Sequence, residues 1–271
     1  MAPEAFFLTV ADGQRLCLYY APTAIAAKGA ILYLHPFAEE MNKARRMGAL
    51  QARMLADHGY AVLQIDLHGC GDSSGDFGDA TWPSWLQDAA EAHHWLRQRC
   101  PAPRWLWGLR AGCLLAAQAA TRIDEPANFL FWQPTTSGKQ FLQQFLRLKV
   151  ASELVVGDTK GVMESLRRQL ADRHSVEIAG YRLTSELAHS LAQTELLPPP
   201  NPGRLVWLEV SARPDAALMP ASVKHLANWQ DAGYSICTQV VTGPAFWQTT
   251  EIEDAPALLS TTLAALEGGS L

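Results

Sequence analysis

Short apolar runs alternate with longer amphipathic stretches along most of the chain. Residues 6–10 and 15–20 flank Ala11-Asp12-Gly13, a turn signal, and predict an antiparallel hairpin. Residues 29–34 are apolar throughout and stop at His35-Pro36, as a strand buried on both faces does. A helix is expected over 39–58, with Met47, Leu50, Met54 and Leu55 on one face and Gly59 as its stop. Strand 61–65 runs into a glycine-rich loop, 66–75. Thr81 caps a helix that reaches Arg99, with Pro83 in its first turn. A short buried strand at 105–107, a turn over 108–112 and a helix from Cys113 follow. Strand 128–133 halts at Pro134. Further on, strands at 204–210 and 235–241 enclose a helix at 220–232, and a last helix covers 254–267.

Strands alternating with helices predict α/β architecture, a mainly parallel central sheet with helices on both faces. Residues 135–203 break the rhythm. They read as helices only, at 139–156, 160–173 and 183–196, before a proline-rich return at 197–202. The expected division is a core of 1–134 and 204–271 with an all-helical cap insertion, 135–203, as one structural unit. Such an insertion covers the C-terminal strand ends, where open α/β sheets bind ligands.

The strand–turn–helix around Trp107-Gly-Leu-Arg-Ala-Gly112, the loop Asp66-Leu-His-Gly-Cys-Gly-Asp-Ser-Ser-Gly75 and the helical insertion resemble the α/β-hydrolase fold over essentially the whole chain. Three stretches are more specific: His35-Pro-Phe-Ala-Glu-Glu-Met-Asn-Lys-Ala-Arg-Arg-Met47, residues 107–112, and Gly243-Pro-Ala-Phe-Trp-Gln-Thr-Thr-Glu-Ile252. Together they are similar to the bacterial family named exosortase-A-system-associated hydrolase 2. That resemblance implies a setting in exopolysaccharide production and exosortase-dependent protein sorting. The family's name asserts a hydrolase, but fold is not function.

Against the superfamily pattern, the nucleophile position holds Arg110, which stays protonated and cannot attack as an oxygen or sulfur nucleophile. Asp215 falls where the triad acid is expected. No histidine follows His225, so the histidine position, after the last strand, is replaced by Phe246-Trp247-Gln248. Bond making and proton transfer both lose their residue. Among other candidates, Cys113 reads as a small buried thiol, with thiolate nucleophile as the outlying alternative. His35 opens the oxyanion loop, and its expected role is to brace that loop. Ser73 and Ser74 read as structural.

Arg110 sits at a helix N-terminus, where a cation is disfavoured, so it needs an anion. Glu39, Glu40 and Asp215 are the candidates for an internal ion pair. The alternative is a ligand's carboxylate, phosphate or sugar-acid group, held by Arg110 and the helix amides, with His35, Phe37, Glu39, Glu40, Phe246 and Trp247 lining the site. Lys43, Arg45 and Arg46 either add charge at its rim or form a solvated face. Phe246 and Trp247 either fill the vacated triad space or line a sugar or acyl slot. The amphipathic stretch 140–148 is expected to face the core, with membrane or partner contact as the alternative.

Composition narrows the field. Of 271 residues 48% are hydrophobic, enough for a sizeable core, and a net charge of −5 with no basic block argues against nucleic acid. Five scattered cysteines without a CxxC pair fit reduced thiols, and no histidine spacing suggests a metal. No cofactor is implied. The first residues lack a signal-peptide pattern and no stretch has the length of a membrane span, so a cytoplasmic protein is expected. Three function classes stay open. One is a degenerate hydrolase that binds a small acyl or saccharide ligand, or a protein partner in the exopolysaccharide machinery. Another is an active hydrolase or acyltransferase of noncanonical design on an ester, acyl or saccharide-linked substrate. The third is a structural subunit with a filled pocket.

Overall fold

In the computed structural model, residues 2–123, 125–154 and 161–268 are described. Strands β1 (Glu4–Val10) and β2 (Gly13–Tyr20) form the expected hairpin. Then come β3 (Gly29–Leu34), α1 (Glu39–Asp57), β4 (Tyr60–Ile65), α2 (Trp82–Arg99), β5 (Arg104–Leu109), α3 (Ala111–Ala120) and β6 (Asn128–Trp132). The chain ends with β9 (Arg204–Ser211), α7 (Pro220–Asp231), β10 (Ser235–Thr242) and α8 (Pro256–Leu266). These strands make one eight-stranded sheet in the order β1-β2-β4-β3-β5-β6-β9-β10. Only the β1–β2 and β2–β4 pairs are antiparallel. The rest run parallel, so their C-terminal ends share one edge.

Alternation along the central strands feeds two cores. Leu32, Leu34 and Leu106 join the cluster that contains Leu86, Ala89 and Leu114 of α2 and α3. Ile31, Tyr33, Trp105 and Trp107 face the other way, into the cluster with Met47 and Leu55 of α1 and Leu258 of α8. Trp107 and Trp132 meet edge to face at 4.7 Å, and Trp132 Nε1 donates to Thr262 Oγ1 on α8 at 2.9 Å. The sheet is therefore pinned to its covering helix by a satisfied aromatic donor.

Between β6 and β9 lie α4 (Gly138–Leu154), α5 (Val162–Ala171), β7 (Val176–Ile178), β8 (Tyr181–Leu183) and α6 (Ser185–Ala192). The insertion is thus helical with one short hairpin, which corrects the all-helical expectation. Ala179 and Gly180, both with positive φ, make the reversal between β7 and β8. The third insert helix starts later than expected because Leu183 completes β8. Thr184 then caps α6, accepting from Leu187 N at 3.2 Å. It also ends before 196, since the chain turns out to pair Glu195 with Ser137. The expected end of the first insert helix at Val156 and start of the second at Lys160 lie outside the described residues.

The turn expected over 108–112 contracts to a single residue. Strand β5 continues through Leu109, α3 begins at Ala111, and Arg110 alone reverses the chain.

Candidate functional site

Two glycines make that reversal feasible. A Cβ on Gly108 would stand 2.6 Å from Cys113 Cα, and one on Gly112 would stand 2.3 Å from Leu34 O. Both contacts are with backbone, so neither position tolerates a side chain without displacing strand or helix. Arg110 itself adopts φ 56°, ψ −122°, a strained region for a residue with a Cβ. Ala38, just before α1, has nearly the same backbone at φ 52°, ψ −125°. Gln133, just after β6, is a third non-glycine with positive φ. Three strained residues thus crowd the C-terminal edge of the sheet, a concentration that marks functional sites. Backbone bonds hold the apex: Arg110 N donates to Trp132 O at 3.0 Å, and Arg110 O accepts from Cys113 N at 3.1 Å and Thr135 N at 3.3 Å.

The Arg110 side chain is almost buried, at 11% exposure. Its Nε donates to Glu40 Oε1 at 3.2 Å and its Nη2 to Gln144 Oε1 at 3.4 Å. Its guanidinium carbon lies 5.7 Å from the ring centres of both Phe141 and Trp247, one from α4 and one from the loop after β10. Only two of the five N–H donors a guanidinium carries find acceptors among the described residues. Beside it opens a cavity of about 460 Å³, lined by Glu39, Glu40, Lys43, Arg110, Gln144 and Gln248 on its polar side and by Phe141, Phe145 and Leu148 on its apolar side.

Of the three expected carboxylate partners, the structure brings Glu40 to Arg110. Burial pushes the Glu40 carboxyl up to about 7, against the pull of Arg110, and neighbouring Glu39 adds a smaller upward push. Its Oε2 has no hydrogen-bond partner among the described residues. Glu39 lines the same cavity; burial raises its carboxyl too, and its Oε2 has no partner among the described residues. Asp215 does not pair with Arg110: it lies exposed in the loop after β9. The buried acid of that region is Glu209, on β9 itself, which accepts from Trp207 Nε1 at 3.1 Å and Met219 N at 3.0 Å.

His35 is buried and committed. Its Nδ1 is 2.8 Å from Pro36 O and its Nε2 accepts from Leu67 N at 3.3 Å, which together place the proton on Nδ1. Burial pushes its pKa below the ordinary histidine value. Phe37 packs edge to face against Phe77, Trp85, Phe141 and Phe145, so it ties the loop after β3 to the insertion. The gap behind it, lined also by His35, Ala111 and Gly112, holds only about 10 Å³. Cys113 is fully buried, its Sγ 3.9 Å from Trp132 O, and burial drives its thiol well above the ordinary value. That environment is the opposite of one that makes a thiolate. Phe246 and Trp247 are both buried and meet edge to face at 5.0 Å; Phe246 packs on Trp132, while Trp247 reaches the guanidinium.

The expected cationic rim is reduced to Lys43. Arg45 pairs with Asp66 at 2.9 Å, and Arg46 holds Asp254 through two bonds of 2.8 and 2.9 Å. Ser73 and Ser74 brace β2, accepting from Leu16 N and Gln14 N. Sequence reasoning missed Gln144 and Thr135 as neighbours of the apex. Gln144 is visible in the sequence only as one of two glutamines between Phe141 and Phe145, themselves one helical turn apart on the face that packs on the core. Nothing in the sequence marks Thr135, whose buried Oγ1 lacks a partner among the described residues.

Known proteins bear on this architecture. A family described as X-Pro dipeptidyl-peptidase (S15 family) matches residues 12–241. Protein ABHD12B of Homo sapiens is 31% identical over 110 residues, 40% of this chain and 29% of that protein, so the chain spans less than a third of that relative's length. Among solved structures, a thermostable carboxyl esterase from Bacillus coagulans superposes with a TM-score of 0.64 at 12% identity, covering 99% of this chain and 98% of that one. A soluble variant of monoglyceride lipase from Saccharomyces cerevisiae gives 0.63 at 12% identity, covering 99% and 95%. An α/β serine hydrolase from Xanthomonas campestris gives 0.58 at 15% identity, covering 98% and 93%. At such identities the likeness shows the fold. The match over most of the chain shows more than that: the protein belongs to the X-Pro dipeptidyl-peptidase (S15) family of α/β hydrolases.

Proposed function

We propose that this chain is a hydrolase-fold protein whose elbow binds a ligand in place of attacking one. Arg110 and the amides at the start of α3 hold the anionic group of a small acyl or saccharide ligand, without serine-hydrolase chemistry. The observation that carries this reading is the uncommitted guanidinium: Arg110 stands at the elbow apex, with two of its donors used, at the edge of an open cavity of about 460 Å³. A filled pocket would leave no such space, which speaks against a purely structural subunit. The apolar wall of Phe141, Phe145 and Leu148 suits a ligand with a ring or chain behind its charge.

The setting we propose is exopolysaccharide assembly with an exosortase system, in the cytoplasm, with a protein partner from that machinery. The three stretches 35–47, 107–112 and 243–252 support it, and among the described helices none is long and apolar enough to cross a membrane. Loss of surface polysaccharide on deleting the gene, restored by the wild type and not by Arg110→Ala, is the expected outcome in the host.

A second reading is favoured by one observation. A buried carboxyl pushed up to about 7 in a cleft, as Glu40 is, can act as a general base or acid on an ester, acyl or saccharide-linked substrate. The deciding experiment exposes wild type, Arg110→Ser, Arg110→Ala and Glu40→Gln to nitrophenyl esters and a fluorophosphonate probe. The first reading expects wild type silent and unlabelled. Turnover by wild type that disappears in Glu40→Gln would replace it with the second.

A further inference from the structure

Glu40 presents a puzzle if Arg110 is an anion site, because the site already contains an anion. The Glu40–Arg110 contact uses only Nε on the guanidinium side and only Oε1 on the carboxyl side. The outer Nη edge, where a carboxylate binds through two parallel bonds, meets only Gln144 Oε1, at 3.4 Å, among the described residues. Meanwhile Glu40 Oε2 is buried and unpartnered among the described residues, although Glu40 lines the cavity. A ligand carboxylate on the Nη edge therefore does not need to displace Glu40. It does need to share one guanidinium with it, and two carboxylates on one cation repel each other.

The geometry points to a proton that resolves this conflict: we propose that a carboxylate ligand binds Arg110 together with one proton, which settles on Glu40 Oε2 and is donated to the ligand. The proton comes from solvent. Oε1 continues to accept from Arg110 Nε, and the Oε2–H bond that forms supplies a hydrogen bond to a ligand oxygen. No other bond is made or broken. This deepens the proposed function and rests on Arg110 being an anion site.

The groups facing Glu40 favour this assignment. On its own helix stand Glu39, whose charge repels a second anion, and Lys43, whose Nζ is occupied by Gln248 O at 3.3 Å. From α3 comes Arg110, from α4 Gln144, and from the loop after β10 Gln248, whose amide stabilises the ionised form only weakly. Glu40 already holds its proton to about pH 7, so the proton is taken up at little cost under ordinary conditions.

Two carboxylate probes test the idea and separate the ligand's two sources: D-glucuronate for an acidic sugar and octanoate for an acyl chain. Titration calorimetry from pH 6 to 9, in buffers of different ionisation heat, reads affinity and proton uptake together. For at least one probe, wild type is expected to lose about tenfold in affinity per pH unit above pH 7 and to take up close to one proton at pH 8. Glu40→Gln, permanently neutral, is expected to bind with pH-independent affinity and no proton uptake, and Arg110→Ala to bind neither probe. Wild-type binding that is independent of pH, without proton uptake, overturns the coupling and leaves the anion site standing. Binding by Glu40→Gln with none by wild type even at pH 6 makes Glu40 a fixed plug and also overturns the coupling. Failure of wild type and of folded Glu40→Gln to bind either probe overturns the anion site itself.

Discussion

Two arginines in this molecule, the fully buried Arg15 and the nearly buried Arg110, are treated in opposite ways. Arg15 on β2 is fully buried, and each of its three guanidinium nitrogens has a partner. Its Nε donates to Asp88 Oδ1 at 2.7 Å, its Nη2 to Asp12 Oδ1 at 2.6 Å and its Nη1 to Gln14 O at 3.3 Å, while His68 Nδ1 lies 2.8 Å from Nη2 and 3.0 Å from Asp12 Oδ2. Asp88 also accepts from His68 N at 2.7 Å, so the cluster clamps the glycine-rich loop between β2 and α2. Arg110 keeps one carboxylate and one amide at longer distances, supplemented by two aromatic faces. A buried charge whose every nitrogen is engaged is scaffold, because little is left for a ligand to bind. One that is half matched beside a cavity has capacity to spare, and that contrast locates the candidate site better than burial or charge alone.

The comparison can be broken most forcefully at Arg15. Arg15→Met leaves the Asp88 carboxylate, which burial already pushes above its ordinary value, without its cation. The expected loss is about 3–5 kcal/mol in denaturant unfolding. A loss under about 1 kcal/mol would show that saturation is not what distinguishes the two sites.

A pH series sharpens the other side. Glu40 ionises near its ordinary 4.5 when unfolded and at about 7 when folded. The folded state therefore binds the proton more tightly, and the stability this gives is complete below pH 4.5 and lost as pH rises to 7. Relative to Glu40→Gln, which cannot titrate, wild type should lose about 3 kcal/mol across that window. A flat difference in unfolding free energy would mean that Glu40 is ionised throughout.

Smallest of all should be the effect of Arg110→Met at pH 6. There Glu40 keeps its proton, so removing the cation strands no charge, and the cost is expected at about 1 kcal/mol. If Arg110→Met proves as destabilising as Arg15→Met in the same denaturant series, Arg110 is a structural cation and the spare capacity is illusory.

How much of this could be read along the chain depended on range. Apolar runs such as Gly29–Leu34 placed the central strands because both faces are buried and every position shows it. The hairpin of β7 and β8 escaped notice because three-residue strands carry no periodicity, and its Ala-Gly turn lacks the strongest signal. The elbow is legible in the sequence, but its turn is shorter than residues 108–112 suggest. Sequence spacing gives the two glycines, while the one-residue reversal depends on the strained backbone at Arg110. Glu39 and Glu40 were equally good partners on paper. They stand about 100° apart around α1, and only the packing of that helix on the sheet turns Glu40 toward Arg110.

By itself, then, the sequence determined the alternation of strands and helices, the glycine pair that permits the elbow, and the arginine at its apex. Each is encoded locally, in burial periodicity and in the backbone freedom of single residues. Tertiary structure alone decided that Glu40 meets that arginine, that Asp215 stays in solvent, and that Phe141 and Trp247 enclose the guanidinium from elements far apart in the chain. Those choices follow from helix phase and from long-range packing, which fix where a side chain points only once the whole core has closed around it.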